Sequence, residues 1–365
     1  MKPQNYFIIF GLLILLFASS GCDPSIKPAR GAEDEIYVVA DSIEFEELRT
    51  SLETTFEKLI YTPQPEKLFT LKRISVNEIE KYKNRKNIII IAPLNSSSTV
   101  SQFIKAVIDS VARAKLREEN GFQIKKYDLW ARNQLVMVLT SQDTQQLEFN
   151  ILQHKDDLLY AFQKISDSRL YSSLYSSKYE QENVEGMLLK DYGWIIYVQA
   201  DFKLALNKPE DNFAWFRRSP NSDMERWIFV HWIDNASPAL LQPDSIKAIR
   251  NKLTQKHYRT SDDSSYVVIA QDYYTTSEVN FNGKYAIFTQ GLWELNIKGM
   301  GGPFINYTFY DEKSKRLYML DGSVFAPKYY KRNLIQQMDV TLQSFMTESE
   351  LSADKKEDLL EAAED

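Results

Sequence analysis

Residues 87–93 read NIIIIAP, four consecutive isoleucines closed by a proline. A β-branched run with no polar face is expected of a central strand covered on both sides. The chain must therefore hold at least one sheet with helices packed over it. Residues 36–40 (IYVVA) and 135–139 (LVMVL) read as further buried strands, and 68–74 as another. Phe45, Leu48, Leu52, Phe56 and Leu59 recur at helical spacing and predict an amphipathic helix over 42–60, which Pro63 and Pro65 end. Phe103, Ile104, Val107, Ile108 and Val111 mark a second helix. Leu147, Ile151, Leu158, Leu159 and Phe162 mark a long one that breaks near His154.

A Ser/Tyr-rich stretch, 166–177, separates this half from one richer in strands. Residues 194–199, 213–217, 226–232, 266–270, 286–295, 304–310 and 316–320 carry β-type sequence, with helices expected over 244–255 and 330–345. The fold class is α+β in two modules, mostly antiparallel sheets backed by helices. The expected division is a signal peptide over 1–21, a tether over 22–35, an α/β-type module over 36–177 and an α+β module over 178–346. The acidic tail, 347–365, has little apolar surface and is expected to be disordered or a frayed helix.

Residues 6–18 (YFIIFGLLILLFA) form an uncharged apolar run of thirteen, too short to span a bilayer and suited to a signal-peptide core. Small residues follow, and then Cys22, the one cysteine of 365 residues. A small residue and a cysteine at the end of such a run resemble a bacterial lipoprotein box, and Cys22 is the expected lipid attachment site. Two or more acyl chains there would hold the chain at a membrane without a transmembrane helix. Beyond Cys22 the chain has no disulfide, thiol nucleophile or thiolate ligand. The formal net charge of −6, with no basic run, argues against a nucleic-acid partner.

Reaction chemistry leaves few marks. The three histidines, His154, His231 and His257, are widely separated and share no metal-ligand spacing, so no metal or cofactor is expected. No serine elbow, dinucleotide fingerprint or phosphate loop is present. A glycosidase-type carboxylate pair is spatial, and Asp272, Glu278 and Glu294 are the nearest candidates to the most unusual stretch of the chain.

That stretch is 291–313, GLWELNIKGMGGPFINYTFYDEK. Four of the twelve glycines, Gly291, Gly299, Gly301 and Gly302, fall within it beside Trp293. A β-type run follows Pro303, so no helix N-terminus is available to cradle a phosphate. GMGGP reads instead as a connection between strands, needing positive φ or close backbone approach. Gly301 and Gly302 are expected at positive φ, with Trp293 partly exposed as the edge of a pocket. In DNFAWFRR (211–218), alternation puts Phe213, Trp215 and Arg217 on one face, where the arginine can stack or clamp a carboxylate. The binding candidates are Trp293, Gly301, Gly302, Trp215 and Arg217.

GLWELNIKGMGGPF, with DNFAWFRR upstream, RGAEDE (30–35) after the tether and APKYYKRNLI (326–335) downstream, resembles the domain-of-unknown-function 4837 family of Bacteroidota lipoproteins. The shared letters are Gly291, Leu292, Trp293, Met300, Gly301, Gly302, Pro303 and Phe304, and the likeness covers most of the chain beyond Cys22. It implies a Gram-negative cell envelope, the outer membrane rather than the inner, and brings no activity with it. The expected role is a binding or assembly component whose partner is an envelope protein or glycan. The alternative is a glycan or peptide hydrolase working through a carboxylate pair near Trp293.

Overall fold

A computed structural model of the chain describes residues 26–60, 62–107, 121–297 and 299–364; Cys22 and the signal-peptide segment lie outside the described residues. The described chain begins β1 (Glu35–Val39), α1 (Ser42–Phe56), β2 (Leu59–Ile60), β3 (Glu66–Lys67), β4 (Thr70–Ile74), α2 (Ile79–Tyr82) and β5 (Asn87–Ile91). Next come α3 (Thr99–Val107), β6 (Gln123–Tyr127), β7 (Leu135–Leu139), α4 (Thr144–Gln153) and α5 (Lys155–Leu174). The second half runs α6 (Glu182–Tyr192), β8 (Trp194–Ile195), β9 (Phe202–Lys208), β10 (Phe213–Arg218), β11 (Glu225–Ile233) and α7 (Pro243–His257). It closes with β12 (Val267–Phe281), β13 (Lys284–Leu295), β14 (Gly301–Asp311), β15 (Arg316–Phe325), α8 (Arg332–Leu342), β16 (Met346–Thr347) and α9 (Ala353–Ala362). The class is α+β, with most of the strands in the second half.

Two compact units emerge: residues 26–55 with 70–162, and 56–69 with 163–365. The division thus falls inside α5 rather than after residue 177. The serine run does not stop that helix because Ser172 and Ser173 donate to the carbonyls of Ser168 and Leu170 on their own helix. The break at His154 is present, where the backbone leaves the helical region between α4 and α5.

The first unit carries a sheet of order β4-β1-β5-β7-β6, parallel except for β6. The four isoleucines of β5 lie between β1 and β7 and are buried, as their sequence demands.

The second unit is built on an antiparallel seven-stranded sheet of order β12-β13-β14-β15-β11-β10-β9. Asn282 and Gly283, at φ 50° and 86°, make the two-residue turn between β12 and β13. Helix α8 lies on β14 and β15, over a core that includes Trp232, Phe309, Tyr318 and Leu342, while α7 packs on β12 over a second core that includes Phe229, Leu253 and Trp293. Residues 194–199 are buried, yet only Trp194 and Ile195 join a ladder, with β16; β9 takes the place in the large sheet.

The acidic tail is ordered. Leu359 of α9 is buried against Leu189 and Ile195, with Leu351 and Leu360 beside them. A side chain at Gly186 on α6 would meet the Leu359 carbonyl at 1.9 Å, so the glycine is what lets the two helices approach. Ser352 caps α9, and Lys356 pairs with Glu348. A few well-placed leucines and a small residue opposite them suffice to seat a helix that its own composition would leave frayed.

Candidate functional site

Alternation along β10 places Phe213, Trp215 and Arg217 on the α7 face of the large sheet. Register sets Arg217 opposite Trp227, and Trp293 opposite Gly302. The ring centres form a continuous layer: Trp215 to Trp227 at 6.2 Å, Trp227 to Trp293 at 4.8 Å, and Tyr258 at 4.6 Å from Trp215 and 5.3 Å from Trp227. The fold thus joins two segments of the sequence that lie far apart, 211–218 and 291–304, through Trp227.

Arg217 forms the rim. Its guanidinium lies 5.2 Å from the Trp215 ring centre and bonds Glu225 at 2.6 Å. The same carboxylate accepts from Trp227 Nε1 at 2.8 Å and from Asn221 N at 2.5 Å, which fixes its orientation. Trp215 is half-buried, and the Arg217 side chain is 27% exposed. Trp215 Nε1, Arg217 Nε and Tyr258 Oη are buried and have no hydrogen-bond partner.

Trp293 corrects the expectation drawn from its glycine-rich setting. It is 1% exposed, and its indole N–H donates to Val324 O at 3.2 Å. Gly301 and Gly302 are not a connection but the first residues of β14, and neither has positive φ; of the four glycines only Gly299 does, at 152°. The reason for glycine is space. A β-carbon on Gly302 would sit 2.0 Å from Val324 O and 3.1 Å from Trp293 Nε1, and one on Gly301 would sit 2.9 Å from Trp293 O. At Gly291 the obstacle is Tyr273 O, 2.3 Å away. The Trp293 indole crosses Gly302 to reach the next strand, and the glycines leave it the room.

Behind the aromatic layer lies a polar row that sequence reading missed. Thr276, Thr289, Asn306 and Asp321 are successive cross-strand partners on β12, β13, β14 and β15. Arg250 of α7 descends onto it, fully buried like Asp321, with Nε to Oδ2 at 2.6 Å and Nη2 to Oδ1 at 3.2 Å. Asn306 Nδ2 and Ser323 Oγ also donate to Asp321, at 3.2 and 2.9 Å. The Arg250 guanidinium stacks 3.7 Å from the Phe304 ring centre. Burial, and then the charge of Asp321, raise the Tyr258 pKa well above its usual value, so its hydroxyl remains a proton donor. The signal was in the sequence: Arg250 shares a helical stripe with Ile246, Leu253 and Thr254, a core-facing place for a charge.

The carboxylates expected to matter near Trp293, namely Asp272, Glu278 and Glu294, are exposed. A carboxylate pair exists elsewhere. Glu185 on α6 is buried and accepts from Val198 N at 2.8 Å. Burial, together with the charge of neighbouring Glu180, pushes its pKa up to about 8. Lys355 of α9 bonds Glu180 at 3.0 Å and reaches Glu182 at 3.5 Å. Among the described residues no three His, Cys, Asp or Glu side chains are grouped to hold a metal ion.

The Glu185 carboxyl gives a testable pH dependence. Its proton is lost near 4.5 when unfolded and near 8 when folded, so folding takes up a proton in that window and stability falls as pH rises through it. His231, which burial lowers to about 4, acts in the opposite sense and is spent above its ordinary value of about 6.5. Between about pH 6.5 and 8, melting temperature is expected to fall for the natural chain and to flatten for Glu185→Gln. Parallel pH profiles for the two proteins would contradict the assignment.

Residues 29–174 match a family described as domain of unknown function (DUF8532), and residues 180–344 match another, domain of unknown function (DUF4837). The likeness expected to span most of the chain therefore divides, and RGAEDE falls in the first match. No curated protein matches the chain. Among solved structures, the Saccharomyces cerevisiae Ran-binding protein Mog1p is similar at 11% identity over 43% of this chain and 90% of its own, with a TM-score of 0.28. A mutant of protein Mog1 is similar at 12% identity, 42% and 90% coverage and the same TM-score of 0.28. The tryptophan layer, the glycines and the Arg250–Asp321 pair all fall within the second match: residues 180–344 belong to the domain of unknown function family DUF4837.

Proposed function

We propose that the protein is a lipid-anchored component of a Gram-negative cell envelope, at the outer membrane, which binds a partner protein or an envelope glycan through Trp215 and Arg217. The observation that carries the binding reading is the half-open tryptophan with three unpartnered donors around it, Trp215 Nε1, Arg217 Nε and Tyr258 Oη. Buried donors without acceptors are costly, and an acceptor-rich ligand stacked on the ring would satisfy them. A glycan has both the acceptors and the apolar ring face. The anchor rests on Cys22 after its apolar run. No helix of the described residues is long and apolar enough to cross a membrane.

The hydrolase alternative has one observation in its favour, Glu185 beside Glu180: the raised pKa of Glu185 suits a general acid. Glu185 is 1% exposed and Lys355 engages Glu180, so a substrate would have to displace α9.

Two comparisons test the proposal. Cys22→Ser is expected to move the protein from the membrane pellet to the soluble fraction; pelleting equal to the natural chain after a salt wash would refute the anchor. The full chain in detergent is expected to capture a glycan on an array or a protein from solubilised envelopes, and Trp215→Ala to lose at least about 90% of it, as a hot-spot aromatic does. Undiminished capture by Trp215→Ala would refute the site.

A further inference from the structure

On the opposite face of the large sheet the register sets two like charges against each other: Arg218 of β10 is the direct cross-strand partner of Arg226 of β11. Such partners have β-carbons roughly 5 Å apart, and like charges there are destabilising. Arg226 is 6% exposed and the Arg218 side chain 20%. Compensation is meagre. Arg218 bonds Asp201 at 2.5 Å, a carboxylate that is itself 52% exposed. Arg226 has a hydrogen bond to Gln337 Oε1 at 2.8 Å and no ion pair among the described residues.

Apart from the Asp201 carboxylate, the groups around the pair that remain free are donors. Gln199 gives its side-chain carbonyl to Arg218 at 3.1 Å and Gln337 gives its own to Arg226, which leaves both amide groups as donors. Arg218 Nε and Arg226 Nε are buried with no partner. Burial and the field of Arg218 lower the Arg226 pKa to about 10, so the side chain stays charged at neutral pH. Two guanidinium groups, one rim carboxylate and four spare donors form a site of net positive charge. A buried cation without a counter-charge is costly to the fold.

We infer that Arg218 and Arg226 together bind an oxyanion, a phosphate or carboxylate group of a ligand, with Gln199 and Gln337 as auxiliary donors. The planar guanidinium fork matches either group bidentately. This site lies on the α8 face, away from Trp215 and Arg217, and does not depend on the glycan or protein proposed to bind there.

The test is thermal melting of the full chain in detergent with sodium phosphate, sodium acetate or sodium chloride at equal ionic strength. Phosphate or acetate is expected to raise the melting temperature by roughly 3–6 °C over chloride at ten times its dissociation constant. A response to phosphate alone assigns a phosphoryl ligand, and one to acetate alone a carboxylate. Arg226→Met is expected to lose the response while melting in chloride no lower than the natural chain, because the substitution removes an uncompensated buried charge. Arg218→Gln, at the more open residue, is expected to lose the response as well and decides the matter if Arg226→Met does not fold. Equal melting in all three salts, or a shift that survives in either variant, would overturn the inference.

Discussion

Gly302→Ala is expected to destabilise the DUF4837 unit by at least about 4 kcal/mol, a fall of roughly 10 °C in its melting temperature. The added carbon would lie 2.0 Å from Val324 O, a backbone atom of β15, whose residue is held in the β11–β15 ladder opposite Arg226. No rotamer change relieves such a contact. Moving β14 away would also break the Trp293 hydrogen bond to the same oxygen, since Trp293 and Gly302 are cross-strand partners. Gly299→Ala is the control. Gly299 has positive φ and open space, so its substitution should cost only backbone strain, about 1 kcal/mol. Thermal or denaturant melts of the two variants separate the causes. A larger loss at Gly299 than at Gly302 would mean that the stretch needs backbone freedom rather than room.

Asp321→Ala is expected to cost about 3–5 kcal/mol, because it leaves Arg250 charged and unpaired in a fully buried place. Arg250→Met should cost less, since Asp321 keeps its bonds from Asn306 and Ser323. The double variant Arg250→Met with Asp321→Leu is expected to be more stable than Asp321→Ala alone, as buried pairs replaced by apolar residues often are. Chemical denaturation of Arg250→Met, Asp321→Leu and their double gives the coupling energy. Strictly additive losses would show that the two side chains do not act as a pair.

How far the sequence could be read depended on whether burial was local or came from distant segments. The isoleucines of β5 and the alternation of Phe213, Trp215 and Arg217 are local patterns, and both strands form where the patterns put them. Residues 194–199 have stronger β character than Phe202–Lys208, yet their burial comes from the core beneath α8 and they pair only briefly with β16. Strand β9 was hidden because, as an edge strand, it mixes Lys203, Asn207 and Lys208 with few apolar residues. The clustering of glycines and tryptophan was visible as an anomaly, whereas its reason was not: no sequence pattern reports a carbonyl of β15 lying where a β-carbon of β14 would be. Trp293 is buried by Trp227 and the cover of α7, neither of which is near it in sequence. The sequence marks Arg217 as a residue that can clamp a carboxylate, and it holds one that the chain itself supplies, Glu225.

The glycine–tryptophan stretch is an internal lock that shapes the α7 face, and Trp215, not Trp293, is the tryptophan presented at its rim. Hydrogen exchange at the indole N–H of Trp293 distinguishes a lock from an open loop. The signal would be followed by NMR on 15N-tryptophan protein and identified by its loss in Trp293→Phe. Bonded to Val324 O and 1% exposed, that N–H should exchange only when the unit unfolds, at least about 10³-fold more slowly than a solvent-exposed indole. Exchange at the rate of an exposed indole would place Trp293 on an open loop and rule out the lock.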